Sequence, residues 1–242
     1  YDLNCILDAR KRNFDIILQL GYTSSSVWYS LHPKNAIVIT NMDGLEWKRT
    51  KYSKKVQKAL QVAERLAIKK SDFLIADSIG IQKYIREKYQ KESTYIAYGA
   101  HNFDNPNPEI LKEYHVEEGN YNMIMARFEP ENNLDMVLEG VAMAEDKKPI
   151  LVIGNHNTKY GTYLKNKFEA FSNIRFLGAV YNLDHLNNLR YYSNLYFHGH
   201  TVGGTNPSLL EAMASKALIA AHNNDFNKGV LKDNACYFSN AE

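Results

Sequence analysis

Residues 195–214 read LYFHGHTVGGTNPSLLEAMA, and this stretch decides the fold. Four strand-like residues lead into a loop holding Gly203 and Gly204. Asn206 can cap the helix that follows, and Pro207 suits its first turn. Strand, glycine loop and helix is the repeating unit of a parallel α/β sheet. Ligands bind such sheets at the carboxyl ends of the strands.

The same unit recurs on both sides of this stretch. Short apolar runs predict strands at 15–20, 36–40, 73–76 and 94–98, and again at 121–128, 150–154, 174–177, 195–198, 217–221 and 235–238. Helical spacing is expected near 1–13, over 46–70, after Ser78, and over 133–144, 160–171, 183–193 and 207–215. Residues 101–120 are polar and turn-rich, with Pro106 and Pro108, and read as a linker. The expectation is an α/β chain of two Rossmann-like domains, 1–100 and 121–242. Their parallel sheets are covered on both faces and face each other across a crevice.

Composition narrows the class. At 242 residues the chain has room for two domains, each with its own core. A net charge of +2 and the lack of a recognition motif argue against a nucleic-acid partner. Charge is concentrated, however: residues 47–70 carry nine Lys or Arg against Glu64 alone. Such a run suits either a solvated helix face or peripheral contact with an anionic membrane. Cys5 and Cys236 form neither a disulfide framework nor a zinc pattern, which fits a reducing compartment. No apolar run approaches the roughly 20 residues that span a bilayer, and no signal peptide is visible. The chain opens in a helix-like pattern without Met and closes after the strand-like ACYF. It is expected to be a core fragment, partial at its N-terminal side and truncated at its end.

Three constellations can carry chemistry. In 203–211, glycines admit a ligand close to the backbone, and a helix N-terminus favours a phosphate. Glu211, one turn in, could reach a sugar hydroxyl; the bland reading is an ordinary helix start. In MARFEPENN, 125–133, Arg127 ends a strand where a guanidinium can grip a diphosphate, unless Glu129 or Glu131 pairs with it. In NMDGLEWKR, 41–49, Asp43 could orient a hydroxyl and Trp47 could stack on a sugar, or the run is a charged helix start. His198 and His200 lack a third ligand at metal spacing, so ligand-facing histidines are preferred to a zinc pair. No Asp-x-Asp, G-x-S-x-G or G-x-G-x-x-G occurs, which weakens metal-anchored transfer, hydrolase and dehydrogenase readings.

Together these runs resemble the GT-B glycosyltransferases of family 4, most closely the rhamnosyltransferase branch of capsule and O-antigen assembly. HGHTVGGTNPSLLEAMA is similar to the donor signature, and NMDGLEWKRTKY to the N-terminal signature. RFEPENNLDMVLEG resembles the R-x-x-P-E-K-N segment, and YIAYGAH the run into the second domain. The resemblance implies that 1–100 is the acceptor side and 121–242 the nucleotide-sugar side. Arg127, Asn132, Gly203, Gly204, Thr205, Asn206, Ser208, Leu209, Leu210 and Glu211 would meet the donor, with Glu211 on the ribose. Asp43, Gly44, Glu46, Trp47, Lys48 and Arg49 would serve the acceptor, and Asp43 and Arg127 catalysis. Two positions depart from the wider pattern: Asn132 replaces a phosphate-binding Lys, and Gly203 replaces an acid.

The implied reaction is retaining, metal-independent and cofactor-free. It moves a hexose, L-rhamnose in this branch, from a nucleoside-diphosphate sugar to a glycan or lipid-linked acceptor. The implied location is cytoplasmic, peripheral at the inner membrane face. Two rivals remain at this point: a nucleotide-sugar epimerase on the same fold, and a degenerate nucleotide-sugar-binding module without catalysis.

Overall fold

The structure, a computed structural model, describes all 242 residues. The chain forms two compact units, Tyr1–Tyr98 with Val202–Thr205, and Gly99–Thr201 with Asn206–Glu242.

The N-terminal unit contains α1 (Asp2–Ala9), β1 (Ile16–Leu20), β2 (Ile37–Asn41), α2 (Lys54–Lys70), β3 (Phe73–Ala76), α3 (Ile79–Tyr89) and β4 (Thr94–Tyr95). Its strands are all parallel and run in the order β1-β2-β3-β4. The helix expected over 46–70 is broken. Glu46–Lys48 is a 3₁₀ turn, and α2 starts afresh where the Ser53 hydroxyl accepts from the Val56 amide.

Coverage on both faces is not what this sheet shows. Val38, Thr40, Leu74 and Ala76 are buried on one face, while Ile16, Leu18, Leu20, Ile37 and Phe73 are exposed on the other. Register explains the split, since Ile16 pairs with Ile37 and Ile39 with Phe73, and alternate residues share a face. Topology supplies the cause. Right-handed crossovers that all step in one direction place their connections on one face of a sheet.

The C-terminal unit continues with α4 (Ile110–Glu113), β5 (Asn122–Met125), α5 (Leu134–Met143), β6 (Ile150–Ile153), α6 (Lys159–Lys167), β7 (Ile174–Gly178), α7 (Leu183–Tyr191), β8 (Leu195–His198), α8 (Pro207–Ala214), β9 (Ile219–His222), α9 (Asp225–Leu231) and β10 (Cys236–Phe238). Its six parallel strands run β10-β9-β8-β5-β6-β7. Counted within the unit, this is the Rossmann order, which reverses between β5 and β8. The reversal places connections on both faces, and two cores result. Leu151 and Ile153 enter one with Met123 and Tyr196, while Ile150 and Val152 enter the other with Leu134 and Leu138.

The expected linker is part of this unit rather than a spacer. Ile110 and Leu111 are buried, the Asn107 amide donates to the Asn188 side chain at 2.6 Å, and the Phe103 amide donates to the Ala214 carbonyl. Val202–Thr205, expected in the C-terminal domain, is counted with the N-terminal unit. Helix α9 was not anticipated; Asn224 caps it by accepting from the Phe226 and Asn227 amides.

Candidate functional site

The C-terminal sheet reverses between β5 and β8, and a cleft of about 590 Å³ opens at the carboxyl ends of its strands. Met125–Glu129 contributes from β5, Gly154, Asn155 and Thr158 from β6, Ala179–Tyr181 from β7 and His200 from β8; Asn206–Ser208 opens α8. Gly154 has a φ of +150°, and a Cβ there would lie 2.1 Å from the Ala126 carbonyl oxygen. Glycine therefore lets the β5 and β6 ends meet beneath the cleft.

Arg127 is exposed on this lining, and neither Glu129 nor Glu131 forms an ion pair with it. Asn206 and Ser208 also line the cleft, and the Ser208 amide and hydroxyl are bonded within the protein. The Asn206 side chain accepts from both the amide and the hydroxyl of Ser208, at 3.0 and 2.9 Å. The Leu209 amide donates to the Asn206 carbonyl, and the Thr205 amide to Asp77. These three amides are thus bonded within the protein, whereas the resemblance implies that the amides of 203–208 face the phosphates. The free cation at the cleft is Arg127.

Other expected donor residues lie elsewhere. Asn132 is buried, off the cleft lining, and its side-chain amide donates to the Arg127 carbonyl at 2.8 Å. It braces the turn that presents Arg127 rather than standing in for a phosphate-binding cation. Leu209 belongs to the core beside Tyr196 and Ala212, and Leu210 does not line the cleft.

Glu211 is also off the lining, and its carboxylate is held from behind. Arg190 is 0% exposed; its Nη2 donates to Glu211 Oε2 at 2.6 Å and its Nη1 to Asn187 Oδ1 at 2.9 Å. The same Nη2 lies 3.3 Å from the sulfur of Met125, a cleft residue. Sequence reasoning missed Arg190, since nothing in a basic residue late in a helix signals burial. It also missed Asn155, Thr158 and Tyr181, although their place just after strands was a signal. Tyr181 is 90% exposed at the lining.

The two histidines divide. His200 lines the cleft, and its carbonyl accepts from both Asn224 and Asn227. His198 is buried and stacked on His200 with centroids 4.4 Å apart. Burial first, and the His200 ring second, hold His198 neutral, well below the usual imidazole range.

In the N-terminal unit the glycine loop meets protein. A Cβ on Gly204 would sit 2.2 Å from Asp77 Oδ1, and one on Gly44 would sit 2.7 Å from the Gly203 Cα. Gly44 and Gly204 are needed for this close packing of 202–205 on Gly44 and Asp77, while Gly203 has a φ of +129° and open space where a Cβ would stand. Asp77 Oδ2 accepts from the Thr205 amide at 2.9 Å, the Thr205 hydroxyl donates to the Asp77 carbonyl at 2.9 Å, and Oδ1 has no partner. Burial, and less so the charge of Asp43, push the Asp77 carboxyl up to about 6 against the lowering effect of the Thr205 amide.

Asp43 has a φ of 46° in a turn closed by its own amide on the Asn41 side chain. Most of its neighbours are tied into structure. Glu46 pairs with Arg49 at 2.6 Å, and the Trp47 ring nitrogen donates to Glu64 at 2.9 Å. Glu64 is 1% exposed and also accepts from Tyr22, Tyr84, Tyr89 and Lys88. Burial, then this carboxylate, holds the Tyr22 and Tyr84 hydroxyls far above the usual phenol range. Trp47 is thus anchored in a side-chain knot, with Lys48 and Lys88 over its ring. Lys48 is the exposed cation of the motif.

Residues 21–101 match a family described as a domain of unknown function, DUF1972. A comparison with curated proteins gave no match. Among solved structures the chain is similar to HepE of Anabaena, solved with UDP and glucose: 15% identity, a TM-score of 0.81, all of this chain and 68% of that one. A glycosyltransferase of Rickettsia africae aligns at 17% identity and TM-score 0.74, over all of this chain and 67% of that one. The sucrose-phosphate synthase of Thermosynechococcus elongatus aligns at 14% and 0.74, over 94% of this chain and 61% of its own. At these identities the likeness speaks for the fold: the chain is an α/β protein of the GT-B type, built from two Rossmann-like units.

Proposed function

We propose that the protein is a glycosyltransferase that passes a hexose from a nucleoside-diphosphate sugar to a hydroxyl of a growing glycan. The observation that carries this reading is the unpaired guanidinium of Arg127 on a cleft at the switch point of a Rossmann sheet. A diphosphate is the ligand such a site suits best. The fold shared with HepE, which was solved with UDP-glucose, supports a nucleotide-sugar donor.

In this reaction the bond from the anomeric carbon to the diphosphate oxygen breaks, the acceptor oxygen takes its place, and the acceptor's proton passes to the departing diphosphate. Negative charge grows on the departing diphosphate, and Arg127 is placed to meet it. Asn155 and Thr158 offer polar contacts to phosphate and sugar, and the exposed Tyr181 ring offers a stacking face for the base. Arg190 holds Glu211 Oε2, and the motif resemblance supports the other carboxylate oxygen, on a side chain 31% exposed, as the partner of the ribose hydroxyls. On the N-terminal unit Asp43 and Lys48 serve the acceptor, while Gly44, Glu46, Trp47 and Arg49 shape the loop that carries them.

The motif resemblance further supports retention of configuration, transfer without a metal, L-rhamnose as the sugar, and a lipid-linked acceptor of capsule or O-antigen type. The test is a panel of UDP-, dTDP- and GDP-sugars, read first by thermal shift and then by released nucleoside diphosphate. A donor-dependent shift and turnover are expected, with Arg127→Ala lowering turnover about a hundredfold or more. Full turnover in Arg127→Ala refutes the site, and a complete lack of nucleotide-induced shift refutes the reading.

A further inference from the structure

One carboxyl of the N-terminal unit is buried without a cation. Asp77 directly follows β3, is fully buried and forms no ion pair. Its Oδ2 accepts from the Thr205 amide, its carbonyl accepts from the Thr205 hydroxyl, and its Oδ1 has no partner. The Gly204 backbone lies against the same carboxylate, since a Cβ there would be 2.2 Å from Oδ1 and 2.3 Å from Oδ2. Loop Val202–Thr205 thus closes on a single carboxylate.

Charge works against this closure. A buried carboxylate without a cation is destabilising. The titratable groups that act on it are Asp43, in the turn after β2, and Tyr98, beyond β4, and neither is a cation. The loop itself carries no charge. Burial first, and Asp43 less so, push the carboxyl up to about 6, so the closed loop holds the Asp77 proton more tightly than an opened loop does. Closure is therefore tightest below about pH 4, loosens as pH rises to about 6, and stays loosened above that.

The loop leads into the cleft. Thr205 immediately precedes Asn206, which caps α8 and lines the cleft. Backbone amides at such a helix start attract anions. Asp77 already occupies the Thr205 amide. Resting on the nucleotide-sugar reading of the cleft, we propose that the Asp77–Thr205 contact is a latch, and that the donor diphosphate competes with the Asp77 carboxylate for the Thr205 amide.

The test has two arms. The first needs no ligand: hydrogen exchange of the Thr205 amide, resolved by NMR, in the parent and in Asp77→Ala. Protection is expected in the parent, and it should fall about tenfold or more in the variant. The second is titration calorimetry at pH 5 and 7.5, using whichever of UDP-glucose, dTDP-glucose and GDP-glucose shifts the parent's Tm most. Binding by the parent should tighten about tenfold from pH 5 to 7.5. Asp77→Ala should bind about tenfold more tightly than the parent at pH 7.5, and without that rise. Asp77→Asn keeps an acceptor for Thr205 but no charge, so it should bind more weakly than the parent at pH 7.5.

Circular dichroism checks folding. Should Asp77→Ala unfold, Asp77→Ser, too short to reach the Thr205 amide, takes its place. An unprotected Thr205 amide in the parent overturns the latch, and so does equal protection in the variant. Equal or weaker donor affinity in folded Asp77→Ala overturns the competition. A pH trend kept in that variant assigns the titration to another group and overturns it as well. Should the parent bind none of the three sugars, the nucleotide-sugar reading falls and the competition with it, while the exchange arm still decides the latch.

Discussion

The strand Ile150–Ile153 sends Ile150 and Val152 into one core and Leu151 and Ile153 into another, whereas Ile16–Leu20 leaves Ile16, Leu18 and Leu20 in the open. As sequences, ILVI and IILQL both read as buried parallel strands. Strand order separates them. The C-terminal sheet reverses between β5 and β8, which covers both faces and opens a cleft at the reversal. The four N-terminal strands step one way, so their crossovers fall on one face, and Ile16, Leu18, Leu20, Ile37 and Phe73 on the other are exposed. Topology thus decides both where the core closes and where a ligand can enter.

The largest expected effect follows from the ion pairs that the units bury. Glu211→Ala leaves Arg190 charged, fully buried and without its carboxylate, at a cost of about 3–5 kcal/mol. Lys88→Met in the other unit should cost far less, because Glu64 keeps donors from Trp47 and three tyrosines. Urea unfolding followed by circular dichroism measures both. Equal costs would mean that Arg190 finds another partner.

Core substitutions probe the sheets directly. Leu138→Ala, at a position 0% exposed, should cost about 2–5 kcal/mol. Leu18→Ala, at 54% exposed, should cost less than about 1 kcal/mol. Trp28 and Trp47 both lie in the N-terminal unit, so fluorescence follows that unit while circular dichroism follows both.

Asp77 makes the N-terminal unit sensitive to pH. Its carboxyl is pushed up to about 6, above the unfolded value, so the folded state holds its proton more tightly. The contribution is therefore full below about pH 4, falls as pH rises through about 6, and is absent above that. Asp77→Asn should flatten this slope and stabilise the unit at neutral pH by about 1–3 kcal/mol. Tm against pH, read by tryptophan fluorescence, decides; an unchanged slope would place the titration elsewhere.

Short apolar runs closed by turn residues made the α/β alternation legible, and the strand-end rule made Arg127 legible. The extra coordinate needed elsewhere was pairing. IILQL does not say that its neighbours step only one way, and NPSLL does not say that its amides are already bonded within the protein. Asn132 looked like a missing cation because its side chain's partner is a carbonyl five residues back, which no side-chain pattern records. Arg190 was hidden for the opposite reason: a guanidinium can be buried once Glu211 and Asn187 converge on it, and both are brought there by packing.

The smallest expected effect tests the comparison most sharply. Leu18→Ser and Phe73→Ser place hydroxyls on a face already in contact with water, so each should change stability by no more than about 0.5 kcal/mol. The same change at Leu138 would bury an unpartnered hydroxyl and also lose apolar packing. The bare face should also bind the dye ANS, and the Leu18→Ser, Phe73→Ser pair should bind less. A cost of 1 kcal/mol or more at Leu18 or Phe73 would mean that something covers the face in solution. The contrast between the sheets would then lie in what supplies the cover, and not in whether one exists.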